Sequence, residues 1–224
     1  MITFTVAAVV FDCDGTLMDT HPCVRHAVSG MFARRDRSSS PLVHTRLASL
    51  ALPAQAAILA ELLDEPATAL LTELEHSTIA ALPRLARPMP GALDLVRRTA
   101  PRMPTAIASN SSRSLLDATL ALAGLADLVP FTVAADEVAA PKPAPDLYLV
   151  ACDALGVRPE QALAVEDSLT GAHAARAAGV PVLGVGPALA RHRSSTDWWT
   201  PDLQGVHMVR LDRADQKGTI VRHA

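Results

Sequence analysis

Lysine is nearly missing from this 224-residue chain: of 20 Lys and Arg residues, only Lys142 and Lys217 are lysines, against 18 arginines. In a chain that writes Arg wherever a generic cation suffices, Lys142, set between two prolines, suggests a site wanting a compact point charge, not a planar fork. Aromatic residues make up only 3%, so the core must be packed mainly with Ala, Leu and Val. There is no basic surplus, the net charge being −3, and hence no electrostatic case for nucleic acid. No apolar run reaches the roughly 20 residues of a membrane span. The N-terminus has no basic n-region and runs straight into Asp12, so no secretory leader is expected. Cys13, Cys23 and Cys152 are an odd set without C-x-x-C, which argues for a reducing cytoplasm. A cytoplasmic monomer is the expectation. Among the eight histidines there is no H-E-x-x-H or clustered pair, which argues against zinc.

What is present is organised around Val6-Ala-Ala-Val-Val-Phe-Asp12-Cys-Asp14-Gly15-Thr16. The valine-rich run reads as a parallel strand buried on both faces. Alternation points Asp12 and Asp14 the same way and turns Cys13 aside. At the carboxyl end of such a strand they enter the crevice where open α/β sheets bind ligands. Two convergent carboxylates before a tight Gly turn suit a hard cation and a phosphate; a solvated turn is the plainer reading of this stretch alone.

From Asp19 to about Pro90 the pattern turns helical. Cys23 to Arg35, Ala54 to Asp64 and Ala67 to Leu82 carry apolar residues at helical spacing, with Asp36 to Pro41 as a polar break and Pro66 and Pro83 as breakers. Residues 20–87 are expected to form a small helical domain inserted into an α/β core of residues 1–19 and 88–224. After Gly91, strand and helix alternate, as in a parallel sheet with crossover helices. Strands are expected at Thr105–Ala108, Val129–Ala134, Ala162–Val165, Val180–Val185 and Val206–Leu211. Trp198-Trp199 is read as a loop.

Polar groups fall where strands end: Asp12 and Asp14, Ser109 and Asn110, Lys142 in the loop after the third strand, and Glu166 with Asp167. Right-handed crossovers can put strands two and three on one side of strand one and four and five on the other. The switch point then lies beside Asp12.

Phe11-Asp-Cys-Asp-Gly-Thr16, Ile107-Ala-Ser-Asn110, Lys142-Pro-Ala-Pro-Asp-Leu-Tyr148 and Val165-Glu-Asp-Ser-Leu-Thr-Gly171 resemble the four ordered motifs of the haloacid dehalogenase-like superfamily. The helical insertion resembles its β-phosphoglucomutase and phosphoglycolate phosphatase-like members. The resemblance implies a Rossmann-like doubly wound parallel sheet with an all-helical cap. It also implies a phosphatase acting on a small phosphorylated metabolite. In those terms Asp12 is the nucleophile, forming an aspartyl-phosphate, and Asp14 the general acid and base. Mg²⁺ would be held by Asp12, Asp167 and the Asp14 carbonyl, with Glu166 nearby. Ser109, Asn110, Lys142, Gly15 and Thr16 would surround the transferring phosphate.

Other readings remain open. A mutase of the β-phosphoglucomutase type carries a cap histidine where this chain has Val24. A phospho-acceptor signalling domain also combines aspartates, Ser/Thr and Lys, but needs neither the insertion nor the Asp12-x-Asp14 spacing. Cys152 to Arg158 has the C-x5-R spacing of cysteine phosphatases, yet closes a helix where that loop should open one. Between Ser38 and Pro83 the only Lys or Arg is Arg46, expected to touch substrate, while Glu61, Asp64, Glu65, Glu73 and Glu75 disfavour a second strongly anionic group.

Overall fold

The computed structural model describes residues 2–48, 50–210 and 221–223. The chain opens with β1 (Ile2–Val6), β2 (Ala8–Phe11) and β3 (Met18–Asp19). Four helices follow, α1 (His21–Ala33), α2 (Pro41–Leu47), α3 (Leu52–Leu63) and α4 (Ala67–Leu85), and then β4 (Arg87–Pro88). From there strand and helix alternate: α5 (Ala92–Thr99), β5 (Thr105–Ala108), α6 (Arg113–Ala123), β6 (Phe131–Val133), α7 (Asp146–Ala154), β7 (Ala162–Glu166) and α8 (Leu169–Ala177). The last elements are β8 (Val182–Val185), α9 (Gly186–Ala190), β9 (Trp198–Thr200), β10 (Val206–Arg210) and β11 (Val221–His223).

The main sheet has the order β6-β5-β2-β7-β8-β9, every neighbouring pair parallel. From β2 the chain goes to β5 and β6 on one side and then crosses to β7, β8 and β9 on the other. The order therefore reverses at β2, whose carboxyl end is Asp12.

Alternation divides the strands by side-chain size. Val9, Phe11, Ile107, Leu163 and Val165 face one layer; Ala8, Val10, Ala106, Ala108, Ala162 and Ala164 face the other. Methyl-sized side chains let a helix axis come close to a sheet. The alanine face receives α7 and α8, the latter presenting Gly171, Ala172, Ala174 and Ala175. The larger face continues through Leu17 and Met18 into the four inserted helices, whose buried Cys23, Met31, Leu59 and Leu70 belong to the same apolar cluster.

Those helices leave and rejoin the core together, because β3 pairs antiparallel with β4 (Met18↔Pro88, Asp19↔Arg87). Arg35 binds α1 to the turn before α4 and to α4 itself, reaching Glu65 at 2.6 Å and Glu73 at 2.8 Å. Glu75 of α4 accepts hydrogen bonds from the Ser112 and Ser114 hydroxyls at the start of α6, a direct tie between insertion and core.

Four readings change. The apolar run is split: β1 ends at Val6 and lies between β10 (parallel) and β11 (antiparallel) in a separate small sheet, so only Ala8–Phe11 belongs to the main one. The strand expected at 206–211 therefore pairs with β1 as Val206–Arg210; Leu211, like Lys217, lies outside the described residues. Pro83 does not break α4 but sits inside its last turns, where burial of Ala81 and Leu82 offsets one lost backbone bond. Trp198 and Trp199 form the edge strand β9, not a loop. Trp198 packs edge-on against Phe4 at 5.3 Å and so joins the two sheets, while the Trp199 indole donates to the Gly186 carbonyl. The polar break stands, and a helix that sequence reading did not assign, α2, begins at its last residue, with the Ser40 hydroxyl accepting from the Val43 amide. No helix among the described residues is long and apolar enough to cross a membrane.

Candidate active site

Asp12 leaves β2 with its amide still bonded to the Val165 carbonyl, which fixes it at the floor of a cleft of about 560 Å³. Lys142 comes from the loop before α7 and reaches it: Nζ donates to Asp12 Oδ1 at 2.7 Å, to Glu166 Oε1 at 2.6 Å and to the Ala108 carbonyl at 2.9 Å. All three ammonium protons are thereby used, in a residue only 6% exposed. Burial alone would pull the lysine proton off, but the two carboxylates outweigh it and its pKa stands above the ordinary lysine value. Asp12 Oδ2, by contrast, is buried with no hydrogen-bond partner among the described residues.

Glu166, the last residue of β7, is fully buried. Its Oε1 also accepts from the Tyr148 hydroxyl at 2.7 Å, and its Oε2 from the Ser168 hydroxyl at 3.2 Å. Asp167 follows at the cleft wall. Asp12, Glu166 and Asp167 each offer a carboxylate oxygen within 4.8 Å of the others, a group able to hold a metal ion. Such crowding resists ionisation. Burial, with Glu166 adding repulsion, pushes the Asp12 carboxyl up to about 7. Burial, together with Asp12, pushes Asp167 well above the carboxylate range. Hard oxygen donors, excess negative charge and an unpartnered buried oxygen together suit a divalent cation such as Mg²⁺.

Two glycines make this crowding sterically feasible. Gly15 has φ +89°, and a Cβ there would lie 2.2 Å from Asp167 Oδ2. A Cβ at Gly171 would lie 1.9 Å from Glu166 Oε1, an oxygen already pinned by Lys142 and Tyr148.

Asp14 also borders the cleft. Its Oδ1 accepts from the Thr20 hydroxyl at 2.6 Å, and its Oδ2 from the Ser109 and Ser111 hydroxyls at 3.0 and 2.8 Å. Thus Ser109, expected at the phosphate, is fully buried and turned to Asp14. Asn110 lines the cleft, but its amide grips the Lys142 backbone in both directions, Nδ2 to the carbonyl at 3.1 Å and Oδ1 from the amide at 2.9 Å. It positions the lysine loop. Thr16 is fully buried and does not line the cleft.

Arg46 is not brought to the site. On α2, His44, Thr45 and Leu47 line the cleft, as does Ala48 just after it, whereas Arg46 turns outward to Glu61 at 3.6 Å. The cation on the cleft wall is instead Arg25 of α1. Tyr148, Ser111, Thr20 and Gly171 carry weight that sequence reading did not assign. Tyr148, the chain's single tyrosine, had the clearest signal, six residues after Lys142 in the same motif. Cys152 is buried, its thiol pushed up to about 11 by that burial, and Arg158 pairs with Glu160 at the surface. The C-x5-R reading thus has no nucleophile.

Two substitutions check this arrangement. Gly171→Ala forces Glu166 off Lys142 and should cost about 2 kcal/mol or more in a denaturant titration, with loss of turnover. Lys142→Arg places a planar group where Nζ makes three short, buried bonds; kcat should fall at least about 10²-fold, and near-wild-type kinetics would remove Lys142 from catalysis.

Comparison with known proteins accords with this geometry. A family model for haloacid dehalogenase-like hydrolases matches residues 6–179. Fructose-1-phosphate phosphatase YqaB of Escherichia coli (strain K12) is 33% identical over 182 residues, 80% of this chain and 96% of that protein. Phosphoglycolate phosphatase of Thiobacillus denitrificans is 30% identical over 205 residues, 86% of this chain and 88% of that one. The crystal structure of CbbY from Rhodobacter sphaeroides in complex with phosphate aligns with a TM-score of 0.79 at 26% identity, covering 90% of this chain and 97% of the other. The four sequence motifs, the doubly wound sheet and the family match over most of the chain lead to one assignment: this protein belongs to the haloacid dehalogenase-like hydrolases.

Proposed function

We propose that the chain is a Mg²⁺-dependent phosphatase that hydrolyses a small phosphorylated metabolite, a sugar phosphate or similar phosphomonoester, through an aspartyl-phosphate at Asp12. The observation that carries this is the asymmetry of Asp12, with Oδ1 locked by Lys142 and Oδ2 buried and unpartnered. An oxygen held in place but bonded to nothing is a nucleophile oriented in advance. The phosphatase names of the 33% and 30% identical relatives support the reaction class.

The roles that the family resemblance implies give the following chemistry. Asp12 Oδ2 attacks phosphorus as the bond to the leaving oxygen breaks, and Asp14 gives that oxygen its proton. In the second step Asp14 takes a proton from water as water attacks the phosphorus of the aspartyl-phosphate, and the Asp12 carboxylate is released. Lys142 keeps Asp12 oriented and offsets charge throughout. Asp12, Asp167 and the main-chain carbonyl of Asp14 would hold Mg²⁺, while Glu166, with both oxygens engaged, orients Lys142 from behind. When bound, the cation lowers the repulsion between carboxylate and phosphate that otherwise blocks attack. At the position where a mutase of the β-phosphoglucomutase type carries its cap histidine, α1 has Val24, which lines the cleft one turn after His21; the valine there favours water over a second sugar hydroxyl as acceptor.

Separate variants of the two aspartates test the roles. Asp12→Asn should abolish phosphoenzyme with every substrate. Asp14→Asn should hardly cleave sugar phosphates, whose alkoxide leaves poorly without a proton, yet give a burst of about one equivalent of nitrophenolate per site from nitrophenyl phosphate. A burst from Asp12→Asn instead would overturn the assignment.

Chelation should abolish turnover and Mg²⁺ restore it, with a stability signature. The folded-state pKa of Asp12, about 7 against 3.8 for the free group, is raised. Its contribution to stability is therefore full below pH about 4 and lost as pH rises through about 7. The Tm of chelated protein should fall between pH 5.5 and 8, and Mg²⁺ should raise Tm more at pH 8 than at 5.5. An equal rise at both pH values would show that the cation does not bind at these carboxylates.

A further inference from the structure

The wall of the cleft opposite the carboxylates is contributed by the inserted helices and is mostly apolar, with Val24, Leu47, Leu50 and Leu52 on it. Of the polar residues that the inserted helices place on it, His21, Arg25, His44, Thr45 and Gln55, Gln55 alone is buried. Gln55 of α3 lines the cleft yet is only 5% exposed. Its Nε2 donates to the Leu50 carbonyl at 2.8 Å. A carbonyl only accepts, so this bond fixes which end of the amide is nitrogen and turns the oxygen away from it. Oε1 then meets no donor among the described residues.

A buried amide oxygen without a donor is costly, and the cleft is the open space that Gln55 borders. A donor on what occupies the cleft that Gln55 lines is a partner that would satisfy it. Arg25 on the same wall offers an anionic group a partner elsewhere, but at Oε1 a carboxylate or a second phosphate brings only acceptors at neutral pH and would face it oxygen to oxygen. An aliphatic skeleton bearing hydroxyls answers both features of the wall, its C–H surface lying on the leucines and one O–H pointing at the amide.

We infer that Gln55 is a specificity-determining residue that accepts a hydrogen bond from a hydroxyl on the leaving group, so that the substrate class is the monophosphates of sugars or polyols and not of small carboxylic acids. This rests on the phosphatase reading above. It goes beyond that reading in separating two substrate types on which the relatives differ, fructose 1-phosphate and phosphoglycolate. Nitrophenyl phosphate, which has no hydroxyl to offer, is the reference for the chemistry alone.

The experiment compares wild type with Gln55→Met, similar in length and apolar, on hexose and hexitol monophosphates, their monodeoxy forms, phosphoglycolate and nitrophenyl phosphate. The ratio of kcat/KM for the best hydroxylated substrate to that for nitrophenyl phosphate should fall about 10- to 100-fold in the variant. One monodeoxy substrate should lose a similar factor in wild type and little more in Gln55→Met. An unchanged ratio, or a wild-type preference for phosphoglycolate over every sugar and polyol phosphate, would overturn the inference while leaving the phosphatase reading intact. Hydrolysis of no monoester by wild type would overturn both. If Gln55→Met fails to fold, the deoxy series on wild type decides: no hydroxyl whose removal costs 10-fold means no such contact.

Discussion

The site depends on one buried ammonium. Lys142 Nζ holds Asp12 and Glu166 at 2.7 and 2.6 Å and is itself anchored to the Ala108 carbonyl. Removing it would leave two buried carboxylates facing each other, a far larger penalty than a lost surface ion pair. Its proton is secure because the carboxylates outweigh desolvation. Its protons are also fully committed, so it acts by position and charge. The surrounding framework serves that position: Asn110 clamps the backbone of the lysine from both sides, and the Tyr148 ring lies 5.1 Å from Nζ while its hydroxyl steadies Glu166. One cation stands among four carboxyl groups, and the crowding makes Asp12 and Asp167 resist ionisation, which is why a further cation suits the floor.

The composition of the sheet bears on this more than its topology alone. Tyr148 on α7 and Gly171 on α8 can reach Glu166 only if both helices lie close to the strands. Ala106, Ala108, Ala162 and Ala164 on that face provide the closeness. Larger side chains would lift the helices and open the space behind Glu166, and each methylene added to a packed core is strongly felt. The scarcity of aromatics is thus consistent with the site's needs: bulk is kept on the other face, where the inserted helices share the same apolar cluster.

What was legible in the sequence follows the same division. Asp12, Asp14, Lys142, Glu166 and Asp167 could be read because their chemistry restricts the residue type and a strand end restricts the place. The strand order around β2 followed from crossover handedness. Trp198 could not be read as an edge strand, since its reason for being extended is a contact with Phe4 nearly two hundred residues earlier. Pro83 misled because a local penalty was outweighed by burial of its neighbours. Arg46 misled for a geometric reason. With α2 unrecognised, its helical phase was unknown, and residues one or two positions apart on a helix face different ways. His44, Leu47 and Ala48 therefore reach the cleft and Arg46 does not.

The inserted wall is harder to read because it works by exclusion. On the floor, charge must be met by charge, and few residue types will serve. On the wall, many apolar side chains would bury a carbon skeleton equally well, so the residue type carries little information. Gln55 is informative only once its surroundings are known: an amide at that point in a helix is ordinary, but one with its nitrogen bonded to Leu50 and its oxygen bonded to nothing is not. The tie from Glu75 to Ser112 and Ser114 links the insertion to the loop and helix that follow β5, which also supply Ser109, Asn110 and Ser111. Wall and floor therefore share a mechanical connection. A leaving group that seats well on the wall can help hold its phosphate over Asp12, and binding energy gained far from phosphorus then contributes to the rate.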